Sequence, residues 1–421
     1  MIDINDLRSN PKRYKEAALK KNIEFDIEKF LELDLELRRA KQEYENLRAA
    51  QNKISREISS SSGKDKELRL EEAKRLAHEV QEASLKLKHL EDAWLNQILL
   101  CPNPPLDSVP LGRNEDDNVE IRRWGDPSKL SLDHKEILTK LGYLDLEAGS
   151  NVSGAKFYFL RGPLALLHHA ILQYGIQFLT RKGFELIEPP HIVSDFAMTG
   201  TGYFPLGKDQ TYELSDNGSR KYLIGTSEVP LCAMYAGKIL DEENLPIKLA
   251  GYSACYRKEA GSYGRETAGL YRVHQFYKVE QVVICNPDPC ESERMHDYLL
   301  ANSEEFVRSL EIPYRVVQIC TGDLGLGQVL KHDIECWMPS RNGYGETHSC
   351  SSLYAFQARR LNIKVRAGKK QTFPFTLNNT LVASPRILIA YFENHYNPDQ
   401  RKVFLVPPLR KYFEDQDYLS F

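Results

Sequence analysis

The first hundred residues carry apolar side chains at spacings of three and four, the pattern of a helix with one buried stripe. The stripe runs through Leu33, Leu37, Ala40, Tyr44, Leu47, Ile54 and Ile58, with Gln51 in one slot, and again through Ala73, Leu76, Val80, Ala83, Leu87, Leu90 and Trp94. Residues 27–100 contain no proline, and their only glycine is Gly63. This heptad spacing predicts an antiparallel coiled-coil hairpin over about 27–100, with its tip at about 59–65.

Beyond residue 120 the pattern changes to mixed strands and helices without regular alternation. The predicted strands include 281–284, 314–319 and 402–406, and the predicted helices include 165–182 and 292–310. Such an order favours an α+β domain built on an antiparallel sheet. The proline-rich run at 101–105 (CPNPP) ends the hairpin. We therefore expect an N-terminal domain over 1–105 and a second domain over 106–421.

Charge narrows the possible partners. The net charge of the 421 residues is only −3, so any surface for nucleic acid must be a local patch. Residues 38–75, the distal half of the hairpin, hold 11 basic and 7 acidic residues. A basic projecting hairpin suits a phosphate backbone, although a solvated coiled-coil face explains the same charges.

Other features exclude several classes of protein. No run approaches the roughly 18 apolar residues that span a bilayer, and the charged N-terminus lacks the features of a signal or transit peptide. The eight cysteines are scattered without a CxxC pair, which favours reduced thiols over disulfides or zinc. We therefore expect a cytoplasmic protein with no membrane partner and no zinc.

The segment 256–276 carries the most chemistry, and it reads YRKEAGSYGRETAGLYRVHQF. It predicts a strand, a glycine-bearing loop and a second strand, with Arg257 and Arg272 on the two sides and Phe276 beyond. Arginine is a permanently charged, planar donor suited to phosphate, and an aromatic face stacks on a purine or packs in a core. Taken alone, Arg257 fits a surface ion pair better. The chain lacks both the GxxxxGK[ST] loop and a GxGxxG motif after a strand, so another arrangement would have to hold a nucleotide.

This segment resembles motif 2 of class II aminoacyl-tRNA synthetases, specifically the form found in seryl-tRNA synthetases. That form reads Phe/Tyr-Arg-x-Glu-Ala-Gly-Ser, then Gly-Arg-Asp/Glu-Thr and Arg-x-His-Gln-Phe. Four further stretches match the family in its order: 183–190 (GFELIEPP, motif 1), 225–231 (GTSEVPL, the serine-binding loop), 346–360 (ETHSCS and FQARR) and 377–386 (LNNTLVASPR, motif 3). A coiled-coil hairpin as first domain is also the family's plan. The resemblance covers almost the whole chain, and the short tail after motif 3 leans towards a bacterial member.

The resemblance implies an ATP-dependent serine–tRNA ligase. It gives catalytic roles to Arg257, which would clamp the α-phosphate and the serine carboxylate, and to Arg386 at the γ-phosphate. Phe276 would stack on adenine, with Glu259 and the Val273 backbone at its edge. The full ATP-binding set implied is Arg257, Lys258, Glu259, Arg272, Val273, Phe276, Glu346, Thr347, His348, Ser349 and Arg386. The serine-binding set is Thr226, Ser227, Glu228, Arg257, Glu280, Asn378 and Thr380.

Partners and cofactors follow from the same resemblance. Glu346 and Ser349 would hold Mg²⁺ with the ATP, since carboxylate and hydroxyl oxygens suit this hard cation. The arm would bind tRNA(Ser), and motif 1 implies a homodimer. The enzyme would make seryl-adenylate and transfer serine to the 3′-terminal ribose of tRNA(Ser), with tRNA(Sec) as a further candidate acceptor.

Two departures from the family pattern stand out. Motif 3 usually carries several glycines, whereas this chain has Asn379, Ala383, Ser384 and Pro385 before Arg386. Thr380 stands where many bacterial members have serine, and Ala268 replaces a common arginine of the motif 2 loop. Two alternatives stay open: a paralogue that loads a small amino acid onto a carrier protein, and a tRNA-binding protein without catalysis. The basic hairpin argues against the first, and the retained Arg257, Glu259, Glu346 and Arg386 argue against the second.

Overall fold

A computed structural model describes residues 1–127, 132–216, 218–260 and 269–421. The chain divides into two compact units. One is helical and comprises Ile2–Leu19 and Ile23–Pro102, whereas the other comprises Met1, Lys20–Asn22 and Asn103–Phe421. Ala268 of the motif 2 loop lies outside the described residues. In the parts of the chain that the structure describes, no helix combines the length and apolar character needed to cross a membrane.

Two long helices dominate the helical unit, as the heptad pattern predicts. They are α3 (Ile27–Ser59) and α4 (Gly63–Ile98), preceded by the short helices α1 (Ile4–Ser9) and α2 (Pro11–Lys20). The turn at 60–62 falls inside the predicted tip. At 1.5 Å per residue, the 33 and 36 residues of α3 and α4 give helices of roughly 50 Å. The arm of the predicted fold class is therefore present.

A buried carboxylate joins the helices at the base of this arm. Asp34 of α3 is 1% exposed, and its two oxygens accept hydrogen bonds from Arg8 Nε (2.9 Å) and Nη2 (2.8 Å) of α1. Trp94 Nε1 of α4 donates a third hydrogen bond at 3.0 Å. Burial opposes ionisation of this carboxyl, but the donors Arg8 and Trp94 outweigh it and lower the pKa of Asp34. The heptad pattern gives no sign of this polar link.

The second unit is built on a sheet that has eight strands among the described residues. Its order is β1 (Val119–Trp124), β11 (Tyr314–Gln318), β12 (Leu330–Met338), β13 (Gly343–Tyr354), β16 (Phe375–Ser384), β10 (Gln275–Cys285), β9 (Ile247–Tyr256) and β4 (Glu185–Ile187). Neighbouring strands are antiparallel except for β4, which pairs parallel with β9. The predicted α+β class on an antiparallel sheet is confirmed.

Three helices cover the face of this sheet that carries the main core. They are α7 (Gly162–Arg181), α10 (Pro289–Ser309) and α12 (Arg386–His395). Fully buried side chains such as Ile171, Phe306 and Leu388 fill the layer between helices and sheet. The predicted helices at 165–182 and 292–310 correspond to α7 and α10. The predicted strand at 402–406 is shorter, because Val406 is already the N-cap of a helix that begins at Pro407.

Shorter elements complete the unit around the sheet edges. The remaining strands are β2 (Leu144–Asp145), β3 (Phe159–Leu160), β5 (Ile192–Ser194), β6 (Glu213–Asp216), β7 (Ser219–Leu223), β8 (Ile239–Asp241), β14 (Lys364–Ala367), β15 (Lys370–Thr372), β17 (Tyr396–Asn397), β18 (Lys402–Phe404) and β19 (Tyr418–Ser420). The remaining helices are α5 (His134–Lys140), α6 (Leu146–Ser153), α8 (Asp195–Thr201), α9 (Glu228–Ala233), α11 (Phe356–Arg360) and α13 (Pro407–Arg410). Helices α9 and α11 lie beside the strands that carry the predicted site residues, and α8 packs against both of these helices.

We expect Asp34→Ala to loosen the base of the arm, because it leaves the Arg8 guanidinium and the Trp94 indole without their acceptor. Losing charged, buried hydrogen bonds of this kind costs about 2 kcal/mol. Hydrogen–deuterium exchange should therefore show the amides of α1 and the start of α3 exchanging on the order of 30-fold faster. The matched control is Asp65→Ala, which removes a surface ion pair with Arg69 near the tip. Equal amide protection in the wild type and in Asp34→Ala would show that Asp34 does not stabilise the base of the arm.

Candidate active site

A cavity of about 390 Å³ lies where β9, β10, β13 and β16 come together. The predicted residues that line it are Glu228, Arg257, Glu259, Val273, Phe276, Glu280, Glu346, Thr347, Ser349, Asn378, Thr380 and Arg386. Thr226, Ser227, Lys258, Arg272 and His348 do not line it. Side chains that are spread in sequence from Glu228 to Arg386 thus meet in one cavity.

An irregularity in β13 places the two predicted metal ligands on one side of the sheet. Opposite β12, Ile334 pairs with His348 and Glu335 pairs with Glu346, so that Thr347 is an extra residue without a partner. In a regular strand, residues three positions apart point to opposite faces. Because the bulge adds one residue between them, the side chains of Glu346 and Ser349 point to the same face, and both line the cavity.

A second bulge, in β16, likewise turns two residues three positions apart to the same face of the sheet. Opposite β10, Val382 pairs with Val279 and Thr380 pairs with Glu280, which leaves Leu381 as the extra residue. Leu381 is fully buried in the main core, whereas Thr380 and Ala383 both line the cavity. The hydroxyl of Thr380 can therefore share the cavity with the segment that leads to Arg386.

Arg386 is the first residue of α12, and its guanidinium is fixed before any ligand arrives. Its Nη1 donates to the carbonyl oxygen of Glu346 at 3.0 Å, and its Nε donates to the carbonyl oxygen of Tyr271 at 3.2 Å. The Tyr271 ring supports the guanidinium from 4.5 Å, and the Tyr271 hydroxyl donates to the same Glu346 carbonyl at 3.2 Å. Tyr271 is a site residue that the motif comparison missed, although it lies directly before Arg272.

Positive charge dominates this end of the cavity. The Glu346 side chain lines the cavity and is 44% exposed. Desolvation opposes its ionisation, but Arg386, Lys331, Arg257 and Arg272 together lower its pKa to about 2. Two of these cations have carboxylate partners of their own, since Arg272 pairs with Glu259 and Lys331 pairs with Asp333. Arg257 and Arg386 line the cavity, and their fixed positive charge suits a polyphosphate.

The opposite end of the cavity carries two buried glutamates. Glu228 Oε1 accepts a hydrogen bond from Gln357 Nε2 at 2.6 Å, and its Oε2 accepts one from the Tyr203 hydroxyl at 3.0 Å. Burial and the negative charge of Glu280 raise the pKa of Glu228. Lys278 Nζ lies 2.6 Å from Glu280 Oε2, which balances that second carboxylate. A small molecule with a positive amine fits here, since Gln357 and Tyr203, the donors that orient Glu228, are both neutral.

Thr226 and Ser227 support this pocket from behind and do not line it. The backbone N–H of Glu228 donates to Thr226 Oγ1 at 3.3 Å, and Ser227 Oγ donates to the carbonyl oxygen of Gly251 at 3.3 Å. A Cβ atom at Gly251 would lie 2.4 Å from Ser227 Oγ. Glycine at this position of β9 therefore allows the loop before α9 to approach the sheet.

Arg257 lies between the two ends of the cavity. Its Nε donates to the carbonyl oxygen of Gly225 at 3.3 Å, and its guanidinium carbon lies 5.2 Å from the centre of the Phe276 ring. Arg272 is set back from the cavity, where its Nη1 pairs with Glu259 at 3.3 Å. Lys258 points elsewhere, over the Tyr212 ring at 5.8 Å.

His348 is on the core side of β13. Its Nε2 lies 2.9 Å from the Leu381 carbonyl oxygen and its Nδ1 lies 2.7 Å from Thr347 Oγ1. Burial lowers the pKa of His348 to about 4, so the ring is neutral near pH 7. Its position leaves it no direct contact with a ligand in the cavity.

The donor set at Glu346 and Ser349 fits a hard cation that is shared with a ligand. A carboxylate and a hydroxyl supply oxygen atoms alone, and Mg²⁺ commonly takes one or two protein oxygens with phosphate oxygens and water. Among the described residues, no group of three or more His, Cys, Asp or Glu side chains could hold a metal by itself. The pair therefore suits a metal that arrives with a phosphate ligand.

Comparison with known proteins identifies the family. A family model described as the seryl-tRNA synthetase N-terminal domain matches residues 1–105, and one described as the tRNA synthetase class II core domain (G, H, P, S and T) matches residues 211–395. The serine–tRNA ligase of Deinococcus radiodurans is 40% identical over 100% of this chain and 99% of its own length. The chain belongs to the seryl-tRNA synthetase family. The serine–tRNA ligase of Methanocella arvoryzae is 37% identical, with both chains covered completely.

A solved structure shows the same relationship. The seryl-tRNA synthetase of Pyrococcus horikoshii complexed with ATP is 34% identical and superposes with a TM-score of 0.88, covering 100% of this chain and 99% of that one. The family expected from the motifs is thereby confirmed. The roles of single residues in the cavity remain predictions, and the geometry above is what supports them.

We expect Glu228→Gln to raise the KM for serine by about 10- to 100-fold, because an ammonium loses its charged partner. Since the pKa of Glu228 is raised, the wild-type carboxylate takes up a proton at a higher pH than an ordinary glutamate. The wild-type KM for serine should therefore rise as the pH is lowered below neutrality, whereas that of Glu228→Gln should stay flat. The KM for ATP is the internal control. A variant with an unchanged KM for serine would show that Glu228 does not bind the amine.

Proposed function

We propose that this chain is a serine–tRNA ligase. It would activate L-serine with ATP to form seryl-adenylate and then transfer the serine to the 3′-terminal ribose of tRNA(Ser). The observation that carries the proposal is the charge separation inside one cavity of a member of this family. Glu228 and Glu280 supply the end for an amine, whereas Arg257 and Arg386 supply the end for the phosphates.

Arg257 is the residue at which the two substrates would meet. It lies between the Gly225 loop on the amine side and the Phe276 ring on the proposed adenine side. From there its guanidinium can hold both the serine carboxylate and the α-phosphate. Placing two reactants side by side removes most of the entropic cost of their encounter.

The first step is attack of a serine carboxylate oxygen on the α-phosphorus, which forms a P–O bond as pyrophosphate leaves. In the second step, a terminal ribose hydroxyl of the tRNA attacks the serine carbonyl carbon, the bond from that carbon to the AMP phosphate breaks, and the phosphate of the leaving AMP takes the hydroxyl proton. Arg257 and Arg386 stabilise the charge that develops on the phosphates. Mg²⁺, held by Glu346 and Ser349, would neutralise further phosphate charge. Neither step needs a protein base, which agrees with the position of the neutral His348 on the core side of β13.

Selectivity for serine would come from the oxygen atoms that face the amine pocket. Asn378, Thr380 and Glu280 are polar and line the cavity side by side on β10 and β16. Alanine would leave these buried groups without a hydroxyl partner, and threonine would have to fit an extra methyl group. The glycine-free motif 3 is compatible with this arrangement, since Ala383 and Pro385 line the cavity without closing it.

A homodimer and a tRNA-binding arm complete the proposal. Strand β4 falls in the segment that resembles motif 1, and Leu186 there is 46% exposed. Leu166 of α7 is 60% exposed and borders an apolar groove of about 340 Å³. A second copy of the chain would cover these side chains, and sedimentation equilibrium distinguishes one chain from two. The cytoplasmic location, and tRNA(Sec) as a second acceptor, stay predictions from the sequence.

We expect ATP–pyrophosphate exchange that depends on serine and that alanine, glycine and threonine support poorly. Arg386→Ala should reduce the exchange by at least about 100-fold, since it removes a preorganised cation from the phosphates. Arg366→Ala is the matched control, because Arg366 is half exposed and 4.0 Å from Asp241 on the surface. A folded, Mg²⁺-supplied protein without exchange for any amino acid would overturn the ligase assignment and favour a tRNA-binding protein without catalysis.

We expect the arm variant Lys53→Glu/Arg56→Glu to separate the two half-reactions. Both residues are exposed near the tip of α3. Reversing their charge should leave serine-dependent exchange unchanged but raise the KM for tRNA(Ser) in aminoacylation, with a weaker dependence on salt. Lys369→Glu/Lys370→Glu, an equal reversal at two exposed residues where the turn at Lys369 leads into β15, is the control. Serine transfer to a carrier protein but not to tRNA would instead support the paralogue reading.

A further inference from the structure

A buried hydrogen bond ties helix α7 to the end of β16. His168 Nδ1 lies 2.6 Å from Ser384 Oγ, and the two residues are 4% and 0% exposed. The sequence pattern suggests that His168 is a packing or surface residue, and none of the predicted site sets contains His168 or Ser384. Their contact spans 216 residues of sequence.

Ser384 lies at the connection from β16 to α12, two residues before Arg386. The intervening Pro385 has no N–H, so the connection from β16 to α12 has one backbone donor fewer than usual. Pro385 is also the N-cap of α12, and Arg386 is its first residue. A side-chain contact at Ser384 therefore fixes the point from which the arginine projects.

His168 contacts both members of the last residue pair between β10 and β16. Ser384 is paired with Tyr277, and the His168 ring lies edge-on against the Tyr277 ring at 5.7 Å between centres. Phe276 and Lys278, the neighbours of Tyr277, line the cavity on the other face of the sheet. His168 therefore packs against the core side of the sheet. The cavity side of the sheet carries the proposed adenine and phosphate sites at the same point.

We infer that His168 is a positioning residue for Arg386. Through Ser384 it fixes the start of α12, so that the Arg386 guanidinium meets Tyr271 and Glu346 and is ready for the phosphates of ATP. This inference rests on the proposed function, since it assigns ATP phosphates to Arg386. Burial and the neighbouring His169 lower the pKa of His168 to about 4, so a neutral ring keeps the contact with Ser384 near pH 7.

The test is a double-mutant cycle with Ser384→Ala, His168→Ala and the double variant. Breaking a buried hydrogen bond between neutral groups and displacing Arg386 should raise both the KM for ATP and the calorimetric Kd for ATP by about 5- to 20-fold. The KM for serine should change by less than twofold. Because both variants break the same contact, the double variant should be no worse than either single one. His168→Asn, whose amide can reach the place of Nδ1, should restore much of the affinity.

The matched control is Ser309→Ala. Ser309 Oγ accepts a hydrogen bond of 2.8 Å from Tyr174 on the same helix α7, and neither residue lines the cavity. This variant should lower the melting temperature without changing the affinity for ATP. If Ser384→Ala and His168→Ala behave like Ser309→Ala, losing stability but not ATP affinity, the contact is structural and the inference is wrong.

Calorimetric measurement of ATP binding distinguishes a failure of this inference from a failure of the proposed function. A wild type that binds ATP but shows no serine-dependent exchange would refute the ligase, and the ATP affinities of the variants would still decide the role of His168. A wild type that does not bind ATP would refute both. Additive effects of the two single variants would also overturn the inference, since they would mean that His168 and Ser384 act separately.

Discussion

The active-site cavity depends on two points at which the alternation of a β-strand is broken. The bulges at Thr347 in β13 and at Leu381 in β16 each shift the register by one residue. Without them, Glu346 would face the core side of the sheet while Ser349 faced the cavity, and the segment after Thr380 would turn the wrong way. A one-residue irregularity in each central strand therefore brings carboxylate, hydroxyl and guanidinium groups to one face. The apolar residues on the opposite face keep the bulges in place, since Leu381 is fully buried in the core.

This arrangement produces a cavity whose cationic and anionic side chains lie at opposite ends. Contacts with neighbouring residues hold these side chains in place. Tyr271 links the motif 2 segment to motif 3, because its carbonyl oxygen and its ring both hold Arg386. At the other end, Tyr203 and Gln357 orient Glu228 with neutral donors and leave its charge for a ligand. Groups that are oriented in advance stabilise developing charge without having to reorganise during the reaction. A ligase that uses no protein base or nucleophile depends on such positioning.

The sequence predicts the helices with a local period and the residues that belong to motifs. It misses the residues whose place depends on contacts between distant parts of the chain. The heptads predict α3 and α4 because their period is a property of each helix alone, and the motif residues Arg257, Phe276, Glu346 and Arg386 do meet in one cavity. Thr226 and Ser227 were expected at the ligand but lie behind the pocket, since the tight approach to Gly251 turns them away. Tyr271, Lys278 and His168 have no signal of their own, because their partners lie far away in the chain. The bulges likewise depend on the pairing between strands, which no single strand encodes.

The most direct test of the account is a crystal structure of the wild-type chain with a non-hydrolysable seryl-adenylate analogue. The account predicts the ammonium of the analogue within hydrogen-bond distance of Glu228, its adenine against the Phe276 ring, and the Arg257 guanidinium at the group that replaces the α-phosphate. It also predicts that Tyr271 and Arg386 keep the contacts they make without a ligand. An analogue bound with its ammonium away from Glu228, or with Arg257 turned out of the cavity, would contradict the central claim that charge separation across this cavity places serine and ATP for reaction.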